Sequence, residues 1–250
     1  MYEIKPFAEP EIIIHLEDVS VCYQIPSEPI ASFKEYAIRF LQGKIKSRDF
    51  WALSNINFDI YKGDILGIIG KNGAGKSTLF KVISRIIPIN YGRIWIKGNV
   101  SPLMEVGAGF HSELTGRENI FLNGTLLGYS NREINEKFDE ILDFAEIGDF
   151  ISAPIRTYSS GMVARLGFAV ATAWSPEILI LDEVFAVGDI FFKKKCLSRI
   201  EMFHASGSTI LIVSHDIKLI ETICSRVIWL DQGKIRKSGK NADVISAYMA

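Results

Sequence analysis

A glycine-rich segment that ends in lysine, serine and threonine constrains the fold of this chain more than any other feature. Residues 70–78 read GKNGAGKST, a full match to the pattern G-x-x-x-x-G-K-[ST]. The apolar run Ile65–Ile69 before it suits a buried strand, and the sequence from Thr78 onwards has a helical pattern. Strand, glycine loop and helix is the context that this pattern needs. The sequence therefore predicts an α/β fold with a phosphate-binding loop.

The residue types in this segment have distinct roles toward a nucleotide phosphate. Glycines allow backbone angles that other residues resist, so that N–H groups at a helix start can point at an anion. Lys76 is predicted to reach the β- and γ-phosphates of ATP, and the Ser77 hydroxyl to bind Mg²⁺. The alternative is a glycine-rich turn that matches by chance. The predicted nucleotide contacts are Gly70, Asn72, Gly73, Gly75, Lys76, Ser77 and Thr78.

Composition and charge narrow the class of protein. The chain has 250 residues, 48% of them hydrophobic, which is enough for one large domain or two small ones. A net charge of −1 argues against nucleic-acid binding through the whole surface. The three cysteines lie far apart, which fits buried thiols in a reducing compartment. No apolar run reaches the roughly 18 residues of a membrane span, and the first residues do not resemble a signal peptide. We expect a chain in the cytosol or on the cytosolic face of a larger assembly.

Strand patterns alternate with helical patterns along much of the chain. This alternation predicts a mostly parallel sheet with helices on both faces. Capping boxes at Thr115–Glu118 and Ser130–Glu133 open helices in the middle of the chain, where no strand pattern appears until about residue 178. We expect a helical subdomain inserted at about residues 112–172. The predicted strands are Ile12–Leu16, Phe58–Ile60, Ile65–Ile69, Arg93–Ile96, Ile178–Leu181, Ile210–Val213 and Val227–Leu230.

A second insertion is expected at about residues 27–50. It contains a capping box at Ser32–Glu35, an amphipathic helical pattern and then a basic run. The helix either packs its apolar stripe on its own domain or meets a membrane surface or a partner helix. We favour a position at the cytosolic membrane boundary. The apolar stripe consists of Phe33, Tyr36, Ala37, Phe40 and Leu41, and the basic residues are Lys44, Lys46 and Arg48.

Two carboxylates follow the apolar strand Ile178–Leu181. A buried strand places Asp182 at its C-terminal end, where an α/β sheet binds its ligand, so Asp182 is expected to hold Mg²⁺ beside Ser77. Glu183 is expected to act as a general base or to position the attacking water. Without the glycine loop upstream, a helix cap would be the better interpretation.

The sequence YSSGM at positions 158–162 resembles the signature motif of ABC-type ATPases, usually Leu-Ser-Gly-Gly-Gln. Ser159 and Gly161 are kept, whereas Ser160 and the two flanking positions depart. Ser159, Ser160 and Gly161 are expected to grip a γ-phosphate at the start of the next helix. In isolation the segment would be interpreted as an ordinary helix N-cap. Here it is followed by a helix and then by a strand that ends in two acids, which is the order found in this family. The chain thus resembles a P-loop NTPase of the ABC type.

The resemblance extends to a histidine and to a short loop, both of which follow the strand that ends in Asp182 and Glu183. His215 follows Ile210–Val213 and resembles the switch histidine, which in the family reaches the γ-phosphate and the catalytic acid, here Glu183. A lone histidine after a strand is usually structural, and the order of the motifs favours the functional interpretation. Residues 186–189 stand where the family has its D-loop.

Two further positions match the family less closely. Tyr23 stands where the family has an aromatic residue that stacks on adenine, with Phe50 or Trp51 as alternatives. Glu105 stands where the family usually has glutamine. A glutamate there can bind Mg²⁺ or orient water but adds negative charge beside the other acids, and an exposed loop acid is the alternative.

The resemblance covers essentially the whole chain, and residues 105–119 look like those of ATPases that export O-antigen, capsule or teichoic acid, the O-antigen exporter most of all. It implies a homodimer on the cytoplasmic face of the inner membrane. This dimer would hydrolyse ATP to export a lipid-linked polysaccharide through a separate transmembrane permease, without binding nucleic acid. Some members carry a further C-terminal sugar-binding domain, so the chain is either a truncation or a short form. The alternatives are a soluble ABC-type ATPase acting on the ribosome or DNA, and a P-loop kinase.

Overall fold

The computed structural model describes residues 11–26, 47–103, 107, 109–182 and 189–250. In these residues the strands form two sheets. The strands are β1 Ile12–Pro26, β2 Ser47–Tyr61, β3 Ile65–Ile69, β4 Tyr91–Ile96, β5 Val100–Leu103, β6 Ile178–Asp182, β7 Thr209–Val213, β8 Arg226–Asp231 and β9 Lys234–Lys240. The helices are α1 Lys76–Ile83, α2 Gly116–Leu126, α3 Asn131–Ala145, α4 Ser160–Ala171, α5 Ile190–Ala205, α6 Ile217–Ile223 and α7 Asn241–Met249.

The larger sheet has the strand order β5-β6-β7-β3-β8-β9. Its strands are parallel from β5 to β8, and β9 adds an antiparallel edge. Every residue of β3 and β7 is buried, because helices or the second sheet cover both faces of these central strands. This arrangement confirms the predicted α/β fold with a mostly parallel sheet.

The smaller sheet is antiparallel, with the strand order β2-β1-β4. The most deeply buried apolar residues of β1 are Ile14 and Leu16 before Asp18, and Val19 and Val21 after it. The inward-facing positions therefore change phase at Asp18, whose φ of 50° accompanies a register shift in both strand pairings. The buried face of this sheet packs with α1 and one face of the larger sheet. The helices α2 to α5 pack on the opposite face. The core therefore has two layers, one on each side of the parallel strands.

The helices between β5 and β6 begin as the capping boxes predict. Thr115 and Ser130 each accept a hydrogen bond from the N–H of the glutamate three residues on, and each glutamate side chain bonds back to the N–H of its capping residue. Both capping boxes are thus confirmed. The boundaries of a separate helical subdomain at residues 112 and 172 stay a prediction.

Several predicted elements differ from the structure. The predictions omitted β5 and β9, and they shortened β1 and β2. Residues 47–50, expected in the second insertion, form the start of β2 and pair with residues 23–26 of β1. The predicted amphipathic helix lies outside the described residues. None of the helices in the described part combines the length and the apolar character that a bilayer span requires.

Candidate functional site

The C-terminal ends of three parallel strands bring most of the predicted site residues to one edge of the larger sheet. Ile68 of β3 lies beside Val213 of β7, which lies beside Asp182 of β6. His215 follows β7, the strand beside Asp182, and Gly70 follows β3, one strand further away. This is the edge at which α/β sheets bind their ligands.

The glycine loop between β3 and α1 is held against two other strands. Gly75 has a φ of 105° and caps α1, which begins at Lys76. A Cβ atom on Gly70 would lie 2.1 Å from the backbone oxygen of Leu230, and one on Gly75 would lie 2.6 Å from that of Ala52. Because no side chain fits at these two positions, β8 and β2 fix the path of the loop.

Gly70→Ala is expected to abolish ATP binding, because the new methyl group would collide with the Leu230 backbone oxygen rather than with a movable side chain. The matched control is Gly63→Ala. Gly63 also has a positive φ, 78°, but no atom lies within 4 Å of its Cβ position. We expect Gly70→Ala to lose at least about 2 kcal/mol more unfolding free energy than the control, a typical cost of overpacking. Denaturant unfolding and ATP titration measure both effects. Equal stability and equal binding would contradict the assignment.

Lys76 lies inside the curve of the loop. Its ammonium group donates to the backbone oxygen of Gly70 at 2.8 Å and to that of Lys71 at 3.1 Å, and the residue is only 7% exposed. A cation held at this point can also meet the oxygens of a phosphate bound by the loop. Ser77 and Asn72 are exposed, and Thr78 is half-buried.

The signature segment forms the N-terminus of α4. Ser159 caps the helix, and its hydroxyl oxygen accepts a hydrogen bond from the N–H of Met162 at 3.2 Å. Ser159 and Ser160 are exposed, and a Cβ atom on Gly161 would have only the Ser159 hydroxyl oxygen within 4 Å. Another molecule can therefore approach the backbone of this helix end closely.

Tyr158 fixes the entry to this helix. Its hydroxyl donates to the backbone oxygen of Phe150 at 2.5 Å, and its ring makes an edge contact with the Phe150 ring. Burial raises the pKa of the Tyr158 hydroxyl above its ordinary value. The tyrosine that departs from the usual signature thus anchors the segment to the helical part of the chain.

The predicted adenine-stacking residue Tyr23 lies on the face of β1 that is directed toward the glycine loop. Val21, two residues earlier on the same face, is buried and pairs with Leu53 of β2. The Leu53 side chain in turn lies 3.0 Å from the Cβ position of Gly75. Tyr23 is 39% exposed at the rim of this face.

The two alternatives to Tyr23 differ in their orientation. Phe50 pairs with Tyr23 and shares its face, whereas Trp51 pairs with Cys22 on the opposite face. There the Trp51 ring stacks on Tyr91, with 5.8 Å between the ring centroids. The geometry favours Tyr23 or Phe50 over Trp51, and a stacking role for either stays a prediction.

A tight turn presents His215 at the end of β7. The Ser214 hydroxyl oxygen accepts from the N–H of Asp216 at 3.0 Å, and Asp216 caps α6 by accepting from the N–H groups of Lys218 and Leu219. His215 is exposed between these two bonded residues. This arrangement allows the imidazole to face a ligand at the strand ends.

Some predicted residues cannot be placed in this geometry. Glu183, Glu105 and residues 186–188 lie outside the described part of the chain, and their roles stay predictions. Asp189, the last position of the predicted D-loop, caps α5 and also contacts Arg165 of α4. The sequence analysis did not identify Arg165, because no local pattern predicts its contact with Asp189, 24 residues further along the chain.

Comparison with known proteins identifies the family. The family model described as ABC transporter matches residues 53–186. The O-antigen export system ATP-binding protein RfbB of Klebsiella pneumoniae is 46% identical over 204 residues, which are 82% of this chain and 83% of that protein. RfbB of Myxococcus xanthus is 47% identical over 220 residues, and the teichoic acids export ATP-binding protein TagH of Enterococcus faecalis is 46% identical over 201 residues.

The alignments cover most of this chain but unequal shares of the relatives. They include 87% of the chain with the Myxococcus protein and 80% with the Enterococcus protein, and only 50% and 45% of those two proteins. The chain therefore spans about half the length of some relatives and most of the length of others.

Solved structures agree on the fold. The ATP-binding subunit of an ABC transporter has a TM-score of 0.74 at 22% identity, covering 95% of this chain and 93% of that one. A dimeric ATP-binding cassette in a post-hydrolysis state with ADP and Pi has a TM-score of 0.73 at 22% identity, covering 91% and 98%. The match of the family model to residues 53–186 and the 46% identity to the Klebsiella protein over most of both chains show that this chain belongs to the ABC transporter family and carries its ATP-binding cassette.

Proposed function

We propose that this chain powers the export of a lipid-linked polysaccharide across the inner membrane through a separate transmembrane permease. The observation that carries the proposal is the 46–47% identity to relatives named for O-antigen export and for teichoic acid export, over at least 80% of this chain. Both names denote the export of a cell-surface polymer. A ribosome- or DNA-directed ATPase has no such support, so we do not favour it.

The residues at the sheet edge suit ATP with Mg²⁺. Among the described residues no three His, Cys, Asp or Glu side chains gather into a metal cluster. The available donors are the Asp182 carboxylate and the Ser77 hydroxyl, and Mg²⁺ prefers such a sparse oxygen set, completed by phosphate oxygens and water. When bound, Mg²⁺ neutralises charge on the β- and γ-phosphates. Glu105 is proposed as a further contact to the metal.

The chain's own residues divide the work of hydrolysis. Lys76 and the loop hold the phosphates at the end of β3. Asp182 ends β6, which is separated from β3 by one strand, β7. Glu183, next in sequence, is the proposed general base, and His215 is proposed to hold the γ-phosphate and the Glu183 carboxylate in line. Asp182 and His215 stand at or just after the ends of two paired buried strands, which favours accurate positioning.

A groove beside the edge strand β5 offers a docking site for the permease. Its volume is about 500 Å³, and it lies between β5 and the connection from α2 to α3. The rings of Tyr129 and Trp174 line it in a parallel stack with centroids 3.8 Å apart. Leu127 lines it with 45% of its surface exposed, and the adjacent Leu126 is 69% exposed. The groove combines these apolar side chains with polar ones from both of its sides, and such a mixed groove suits a short amphipathic helix of a partner protein. The predicted amphipathic helix with Phe33 and Phe40 is proposed to lie at the membrane boundary beside the permease.

Lys76→Ala in the organism that carries this chain is expected to stop export, because the loop then loses its phosphate-binding cation. Lipid-linked polysaccharide should accumulate inside the cell and disappear from the surface, which glycolipid extraction and surface labelling measure. The matched control is Lys71→Ala, since only the backbone oxygen of Lys71 serves the loop and its side chain is exposed. Normal surface polysaccharide in the Lys76 variant would refute the proposed cargo, and co-purification with ribosomes or DNA would support the alternative.

A further inference from the structure

Three aromatic rings lie on the outer face of the smaller sheet, opposite the face that packs on the core. Tyr91 and Trp95 stand four residues apart on the edge strand β4, and Trp51 stands on β2, on the other side of the central strand β1. These three side chains, here called the aromatic platform, are between 42% and 65% exposed. A single apolar side chain on a surface is ordinary, but a group of large exposed rings on one face indicates a binding site.

Small residues on β1 bring two of the rings together. Trp51 pairs with Cys22 of β1. Tyr91, from the other side, pairs with Ser20 of β1. Because both β1 residues are small, the two rings reach over this strand and stack, with 5.8 Å between their centroids and 28° between their planes. The orientation of this pair is thus set before a ligand binds, which lowers the entropic cost of binding.

The third ring of the platform is supported by a histidine. The His15 ring lies beside the Trp95 ring, with 5.1 Å between their centroids, and His15 Nδ1 contacts the Asp59 carboxylate. The three residues form one row across the sheet, because His15 of β1 pairs with both of the others. The Trp95 indole is therefore supported on one side and open to solvent on the other.

A row of charged residues separates the Trp51–Tyr91 pair from Trp95. Arg93 lies between Tyr91 and Trp95 on the same face of β4, and it pairs with Glu17 of β1. Both charged residues are exposed, and their opposite charges balance. The Cα atoms of Tyr91 and Trp95 are about 13 Å apart, at about 3.3 Å per strand residue. The surface thus alternates between ring, charged row and ring.

This alternation suits a carbohydrate chain better than a protein or a nucleic acid. Sugar rings have C–H groups on their faces, which pack on the electron-rich faces of aromatic rings, and hydroxyls at their rims, which bond to charged side chains. The core of a protein interface is depleted of charged residues, whereas a charged row crosses the centre of this platform. Single-stranded nucleic acid needs a positively charged groove, whereas Arg93 and His15 each lie opposite an acid.

We propose that the aromatic platform binds the polysaccharide part of the exported glycolipid, stacking one sugar on the Trp51–Tyr91 pair and another on Trp95. The charged row between the rings bonds to sugar hydroxyls. The proposal rests on the proposed function, under which the polysaccharide is present on the cytosolic side before export. Because the platform lies on the opposite face of the sheet from Tyr23, polysaccharide and nucleotide can be bound at the same time.

Titration of the purified chain with polysaccharide tests this site without ATP or the permease. The probe is polysaccharide isolated from the cell surface of the organism that carries this chain, and calorimetry measures its affinity. Trp95→Ala and Tyr91→Ala should each weaken binding at least about tenfold, a loss typical of removing one aromatic anchor. Trp95→Phe should restore part of the affinity, because it keeps a ring. Thermal stability and ATP binding should stay unchanged in these variants, since both side chains are largely exposed and lie away from the glycine loop.

The matched control is Phe191→Ala, which removes a ring that is 79% exposed on α5 and should leave the affinity for polysaccharide unchanged. A wild-type chain that does not bind the polysaccharide would overturn the proposal, and so would unchanged affinity in both Trp95→Ala and Tyr91→Ala. If those two variants keep the affinity but no longer co-purify with the permease, the platform is a protein interface and the proposal is wrong. Export that continues in Lys76→Ala would instead refute the proposed function itself.

Discussion

Glu183→Gln is expected to bind ATP with nearly unchanged affinity and to hydrolyse it at least about a hundredfold more slowly, a loss typical of a missing general base. Glu183 directly follows Asp182, the last residue of β6, at the sheet edge where Gly70 and His215 also leave their strands. Glutamine has the size of glutamate, so the phosphate contacts stay in place. Its amide cannot take a proton from water, so the chemical step alone is affected.

Single-turnover hydrolysis and ATP titration separate these two effects. The matched control is Glu177→Gln, just before the opposite end of the same strand, where the side chain accepts from the N–H of Asn99. That variant should keep normal turnover. His215→Ala should lose turnover and keep nucleotide binding, because the phosphate loop does not depend on it. Near-normal turnover in Glu183→Gln would remove Glu183 from its proposed role.

The sequence predicted the phosphate loop because its chemistry is local. A buried strand, positive-φ glycines and a helix start occur within residues 65–83, so the motif and its context can be read together. The two capping boxes are local for the same reason, since each involves residues three positions apart. Asp182 was predictable because an apolar strand that ends in acids needs only the direction of the chain to place the carboxylate.

The omitted strands lack an apolar pattern of their own. Strand β5 contains a serine and a proline, and it is a strand because it pairs with the buried β6. Strand β9 reads KIRKSGK and is an edge strand that pairs only with β8. The signal for β9 was the turn at Gln232 and Gly233, whose φ values of 47° and 73° are those of a tight hairpin.

The contacts of Arg165 could not be predicted from the sequence for a different reason. Its partners Glu146 and Asp189 lie on other helices, 19 and 24 residues away. Only tertiary packing of α3, α4 and α5 brings these side chains together. Helical periodicity marks the buried face of each helix but does not select which charged residues meet at its ends.

The second prediction with a large effect concerns which chain supplies each half of the ATP site. The loop is fixed by β2 and β8, whereas the signature helix is anchored by Tyr158 to Phe150 and presents an exposed Ser159. The loop and the signature helix are thus held in place by separate parts of the chain, and the signature end is exposed to a partner. This favours a two-fold dimer in which each chain completes the ATP site of the other. Lys76→Ala removes the loop cation, and Ser159→Arg blocks the signature helix. Either homodimer should therefore fail to trap ATP.

Mixed dimers of these two variants should recover one working site. The loop of the Ser159→Arg chain would meet the signature of the Lys76→Ala chain, and both are unaltered. The other site would carry both defects. ATP trapping by dimers purified through two different tags should therefore be about half that of the unchanged dimer, one site of two in a symmetric dimer.

The control places both substitutions in one chain and pairs it with an unchanged chain. If each site takes its loop from one chain and its signature from the other, both sites of this dimer are damaged and no ATP is trapped. If each chain forms its own site, the outcomes reverse: the unchanged chain keeps its site here, and the mixed dimer of single variants traps nothing. The two dimers contain the same residues in total and differ only in which chain carries them. Loss of stability therefore cannot imitate the expected result, and trapping by the control dimer alone would refute the shared site.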